Sequence, residues 1–199
     1  MPIVFNESAG TISGISVGGL PDGIVDTDML AAGAVTAAKR GTGSILQVQQ
    51  TVKTSFQSLA TKDVVTDVTS VAITPLSTSS KILVMVCGER SESNGNTFGM
   101  LFISRLLSGS TTDLTIGDSR GSSIRCSMSA MKLSSGSSII TAPFGIQFLD
   151  SPSTTSECTY KLRMVNAHDG TMSIGGTHVT DDDNRTSVPT IITVMEVAG

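Results

Sequence analysis

The chain has 199 residues, a formal net charge of −4 and a pI of about 5.0. That length buries one sizeable core with a small piece left over, and the acidic balance excludes a general attraction to nucleic acid or to an anionic membrane. With no Trp, one Tyr and six Phe, it has few aromatic faces on which sugars or bases stack. The opening MPIVFNESAG lacks a basic region followed by an apolar one, so no signal peptide is expected. Apolar runs such as 82–86 and 100–103 are strand-sized, too short to span a bilayer. Synthesis in a cytosol, without membrane insertion, is the expectation.

Residues 1–19 are rich in Gly and Ser, with Ile12, Ile15 and Val17 spaced so as to add edge pairing to another chain. Two decades then nearly superimpose within LPDGIVDTDMLAAGAVTAAKRG, where 22–27 (DGIVDT) answers to 32–37 (AGAVTA). Thr27 and Thr36 can each cap a short helical turn. The other reading is one helix over 27–40, with Asp26 as N-cap, Lys39 and Arg40 in the last turn and Gly41 beyond its end; Gly33 in its middle costs about 1 kcal/mol. In either, Met29, Leu30, Val35 and a few alanines are what there is to bury. That is too little for a lone chain and adequate when several copies wrap about an axis. Residues 1–43 therefore read as an assembly and docking segment, whose apolar contacts are Ile12, Ile15, Val17, Leu20, Ile24, Val25, Met29, Leu30 and Val35. Lys39 and Arg40 either dock on an acidic surface or offset the helix dipole.

From residue 44 to 199 the character changes. Short β-branched runs alternate with Ser/Thr/Gly/Asp turns at spacings of about 8–12 residues, the pattern of a sandwich or barrel. Strands are expected over 45–53, 64–74, 82–87, 99–107, 114–116, 124–133, 139–141, 144–149, 158–165, 171–179 and 190–197. In 160–164, Tyr160, Leu162 and Met164 share one face while Lys161 and Arg163 share the other. Residues 82–86 (ILVMV) are apolar throughout and read as a central strand covered on both sides. Turns are expected at 93–96, 108–110, 135–137 and 168–170, and Pro143 and Pro152 punctuate the strands beside them. Cys87, Cys126 and Cys158 form no C-x-x-C pair and read as buried small hydrophobes. Most of the aromatic rings should point inward. About ten strands in this length suit an all-β, jelly-roll-like antiparallel sandwich.

Signals for chemistry are weak. His168 and His178 are the two histidines, and His168 beside Asp169 invites a Ser-His-Asp hydrolase, yet no G-x-S-x-G elbow exists. Asp181, Asp182 and Asp183 are weak candidates for Ca²⁺, without the alternating spacing of a calcium loop; a solvated loop is the plainer reading. Arg120, Arg125 and Lys132 read as a wet face, and the N-x-S/T matches at Asn6 and Asn184 have meaning only in a secretory pathway. No cofactor is expected.

The stretch GTISGISVGGLPDGIVDTDMLAAGAVTAAK followed by GSILQVQQTVKT resembles the N-terminal part of tail-fibre and related virion structural proteins of tailed bacteriophages, marine ones especially. ITPLSTSSKILVMV, FLDSPSTTSECTYKLRM and TIITVMEVAG resemble the domain that often follows it. The resemblance implies a homotrimeric, non-enzymatic virion protein with a short extended or helical N-terminal segment docked on phage capsid or tail proteins and an outward β-domain. Long tail fibres carry shafts of repeats, and two decades stand here, so capsid decoration or a head fibre is the alternative. A β-sandwich depolymerase or esterase is the competing class. Host glycan or protein contacts would then fall on polar loop residues, Asn94, Asn96, Asp182, Asn184 and Arg185, or on an aromatic pocket between subunits around Tyr160 or Phe98.

Overall fold

The computed structural model describes residues 4–6, 8, 11–13, 34–36, 39–93, 97–129, 140–178 and 186–199. The chain forms two compact units, Met1–Arg40 and Gly41–Gly199. In the first, β1 (Val4–Asn6) and β2 (Thr11–Ser13) pair antiparallel with Phe5 opposite Ile12. Ile12, expected to pair with another chain, thus pairs within its own. Residues 34–36 are not helical, which excludes a single helix over 27–40. Instead the Lys39 N–H donates to the Thr36 carbonyl at 2.9 Å, closing one turn. Val35 is half-exposed. Ile15, Val17, Leu20, Ile24, Val25, Met29 and Leu30 lie outside the described residues.

The second unit is all-β among the described residues. Its strands are β3 (Ile45–Lys53), β4 (Gln57–Leu59), β5 (Thr66–Ile73), β6 (Lys81–Ser93), β7 (Gly99–Leu107), β8 (Ser110–Leu114), β9 (Met128–Ser129), β10 (Ile140–Asp150), β11 (Cys158–Asn166), β12 (Thr171–Ile174) and β13 (Thr190–Val197). Two antiparallel sheets result. One runs β3-β13-β6-β12-β4, with β10 on the other edge of β6; the other runs β5-β11-β7-β8, with β9 also on β7. The long β6 holds the first sheet together, pairing β10 along one side and β13 then β12 along the other.

Period-2 burial makes the core. Ile82, Val84 and Val86 of β6 and Ile192 and Val194 of β13 meet Leu101 and Ile103 of β7 and Tyr160, Leu162 and Met164 of β11 in one cluster. Each alternates with residues that face out, as strand geometry requires. The hairpin between β7 and β8 turns on Ser108 and Gly109, both at positive φ, the two-residue turn whose twist matches its strands.

Several expectations need correction. Pro143 does not divide a strand: β10 runs through it, because β10 is an edge strand and needs no N–H donor on its open side. The strand expected at 114–116 is β8 at 110–114, and only Met128–Ser129 of 124–133 is strand among the described residues. The run 171–179 stops at Ile174, where Gly175 and Gly176 both take positive φ. β4 was not expected from the sequence. Its residues QSL are too short to show a period.

Buried polar ties fasten the sandwich. Asp150 of β10 accepts from Tyr160 Oη at 2.7 Å and from Arg105 Nη1 at 2.5 Å, joining the two sheets. The fully buried Glu196 accepts from the Leu76 N–H at 2.7 Å and from Gln47 Nε2 at 2.6 Å, holding down the loop before β6.

Candidate functional site

Directly opposed residues of neighbouring strands point to the same side of a sheet. Along β3, β13, β6 and β10 this places Val48, Met195, Leu83 and Leu149 side by side on the face turned away from the core. Two residues further along, Gln50, Thr193, Met85 and Gln147 stand across the same strands, and two further still Val52, Ile191, Cys87 and Gly145. Val48, Val52 and Leu149 are 50%, 48% and 48% exposed, and Cys87 is exposed beside them. Apart from the Cys87 thiol, no ionisable side chain stands in these rows. At Gly145, where a side chain would meet nothing nearer than the Val86 carbonyl at 4.0 Å, the face dips into a shallow groove of about 600 Å³ floored by Met85 and Ile191 and flanked by Gln50 and Gln147.

This face corrects two expectations. The 82–86 run is central in pairing, yet within one chain only its Ile82, Val84 and Val86 side is fully covered. Cys158 is buried and Cys126 half-buried, while Cys87 is not the buried hydrophobe expected. Burial pushes the Cys126 and Cys158 thiols above their ordinary pKa.

The opposite sheet presents a different exterior. Lys161 Nζ reaches Asp67 Oδ2 at 2.7 Å, Arg163 Nη1 reaches Asp113 Oδ1 at 3.0 Å, and Ser104 Oγ donates to the same oxygen at 2.6 Å. Toward one end a small second cluster of Met100, Val165 and Ala167 is covered by Phe98, Phe102 and Cys126.

Residues singled out for chemistry are scattered. His178 Nδ1 lies 3.2 Å from Ser173 Oγ, a serine–histidine pair that the sequence did not suggest, but Ser173 is fully buried and its hydroxyl is closed to a substrate. His168 sits in the turn between β11 and β12, its N–H donating to Asn166 Oδ1 at 3.2 Å and its ring edge-on to Phe98. Among the described residues no group of three or more His, Cys, Asp or Glu is placed to hold a metal. Asn94, Asn96, Asp181, Asp182, Asp183, Asn184 and Arg185 lie outside the described residues. The two ends of that acidic loop are clasped where the Thr177 N–H donates to the Thr186 carbonyl at 3.2 Å and Thr186 Oγ1 donates to Glu89 Oε1 at 2.7 Å.

Tyr160 cannot line a pocket between subunits. It is fully buried, and burial together with the Asp150 hydrogen bond drives its hydroxyl pKa far above the ordinary value. Phe144 is buried as well, and Phe56, at 45% exposed, is an exception to the mostly inward placement expected of the rings. On the inner side of β6, Glu92 Oε1 and Arg90 Nη1 are buried without a hydrogen-bond partner. Burial raises the Glu92 carboxyl, against the pull of Arg90, and lowers the Arg90 guanidinium.

The most distinctive feature of the described surface is thus the exposed apolar face of β3, β13, β6 and β10. No family model matches the chain, and no curated protein matches it.

Proposed function

We propose that the protein is a structural component of a phage virion, made in the host bacterial cytoplasm. In this reading it is a homotrimeric, non-enzymatic fibre or spike, docked to capsid or tail proteins by residues 1–43, with its β-domain turned outward for attachment to a host surface. The observation that carries the reading is the uncovered apolar face of β10, β6, β13 and β3, because contiguous exposed apolar patches mark sites of association. Strand order supports a jelly roll. With β3, β5, β6, β7, β8, β10, β11 and β13 taken as strands 1 to 8, the sheets read 1-8-3-6 and 2-7-4-5, the order of two nested Greek keys.

A second reading is capsid decoration without receptor binding. Burial of the single Tyr removes one surface on which a host sugar would stack, and that favours it. Immunogold labelling of intact particles tests both: label at a tail tip supports attachment, and label spread over the head supports decoration. Purified particles without label would overturn the virion assignment.

A further inference from the structure

Thirteen lysines and arginines are spread through the sequence, and at one place two of them adjoin, Lys39-Arg40. That pair ends the first compact unit, and Gly41 begins the second. A single helix over 27–40 is excluded, so the pair has no helix of that length whose dipole it would offset. We propose that Lys39-Arg40-Gly41 is a cleavage junction, at which an endoprotease with acidic pockets for two consecutive basic residues parts residues 1–40 from the β-domain. Water adds across the Arg40–Gly41 amide: its hydroxyl goes to the Arg40 carbonyl carbon, giving a carboxyl group, and its remaining hydrogen to the Gly41 nitrogen, giving a new amino terminus. The inference goes beyond the virion reading and holds or fails without it.

A protease lays its substrate out as an extended chain in its cleft, so a bond inside a sheet is cut only after the sheet opens. Around the junction little has to open. Residues 39–43 are all exposed, and a Cβ at Gly41 or Gly43 would meet nothing within 4 Å. Backbone hydrogen bonds there run from the Lys39 N–H to the Thr36 carbonyl at 2.9 Å, from the Ser44 N–H to the Gly41 carbonyl at 3.1 Å, and from the Gly43 N–H to the Ala198 carbonyl at 2.8 Å. Lys53, Lys81, Arg90, Arg105, Lys161 and Arg163 lie within strands, where a cut first requires a ladder to break. Arg120–Gly121 is a second exposed Arg–Gly bond, and Gly121 is equally open. It follows Ser119 rather than a basic residue, and both sides of a cut there stay in the β-domain. Pockets for a basic pair therefore choose Arg40 over Arg120 by the charge at position 39. The cut spares the sheets. The Ala198 N–H donates to the Ser44 carbonyl at 2.9 Å and, with the Gly43 bond, pins the new terminus beside the end of β13.

The test uses the native full-length protein and a subtilisin-family endoprotease selective for paired basic residues, with peptide mass placing each cut. The wild type should be converted to residues 41–199, and that product should keep the main thermal transition of the uncut chain. Arg40→Gln should abolish the cut. Lys39→Gln should slow it about tenfold, because a pocket acid is left unpaired. Both positions are exposed, and a thermal melt of each variant establishes that the fold survives. Trypsin, which needs one basic residue, should still cut Lys39→Gln at Arg40, so that the slower cut by the paired-basic enzyme is a loss of recognition and not of access. Equal rates for wild type and Lys39→Gln with the paired-basic enzyme would overturn the assignment of the pair. A native chain cut at Arg40–Gly41 about a hundredfold more slowly than a synthetic peptide of residues 36–45 would show the junction held closed, and would overturn the proposal.

Discussion

The two sheets of the β-domain share one core and have opposite exteriors. On the β5-β11-β7-β8 sheet the outward positions carry Lys161, Arg163, Asp67 and Asp113, whose charges pair across strands, with Met100, Phe102 and Val165 on the same side in their own small cluster. On the β3-β13-β6-β10 sheet the outward positions carry Val48, Leu83, Met85, Leu149, Ile191 and Met195, with Gln50, Thr193 and Gln147 beside them and, among the described residues, no ion pair across the strands. An antiparallel sheet with one wet face needs nothing beyond its own core. A sheet whose outer face is largely apolar leaves that face open to a second cover. The difference is the ground on which the outer face of the β3-β13-β6-β10 sheet is proposed as an association surface.

The largest effect should come from the tie that both sheets share. Asp150→Ala leaves Arg105 and the Tyr160 hydroxyl without their buried acceptor and should cost about 3–5 kcal/mol in chemical denaturation. Tyr160→Phe keeps the ion pair and should cost about 1.5–3 kcal/mol. If Asp150→Ala costs no more than a surface substitution, the two sheets are not joined there.

The two exteriors should respond differently to charge. On the wet side, Arg163→Ala should change stability by about 0.2–1 kcal/mol, weaken further in significance with salt, and leave the assembly mass untouched. A loss of oligomer in Arg163→Ala would erase the contrast on which the association surface rests.

A smaller effect belongs to the buried end of β6. The folded chain holds the Glu92 carboxyl above its ordinary 4.5, so it binds that proton more tightly than the unfolded chain does. Stability from this group is full below the unfolded value and is lost as pH rises through the folded one. Glu92→Gln should therefore match wild type in acid and gain on it as pH rises, in denaturant titrations between about pH 4 and pH 8. A constant difference across that range would mean that the carboxyl does not titrate differently on folding.

Much of the β-domain was legible because one-sided strands write their burial as period 2. Residues 45–53, 99–107 and 190–197 are strands with the bounds expected, and 158–166 shows its alternation plainly. The edge strand β10 was misread because Pro143 breaks a central strand and not an edge. The apolar 82–86 run was expected to be covered on both sides, and within the chain only its Ile82, Val84 and Val86 side is; sequence periodicity shows that both sides are apolar and not whether both are covered. In β3 the signal is blurred further, since Gln47 and Gln49 point inward while Val48 and Val52 point outward. The pairing of the buried Ser173 with His178 had no local signature, because it joins a strand to the loop after it through a glycine reversal at Gly175 and Gly176.

The measurement that bears most directly on the central claim is the solution mass of residues 44–199 beside that of the full-length chain. All strands of both sheets lie in Gly41–Gly199, so the shortened chain retains the dry face intact. The account predicts that it remains a trimer by light scattering at micromolar concentration. A folded monomer of residues 44–199, with the full-length chain still trimeric, would contradict it.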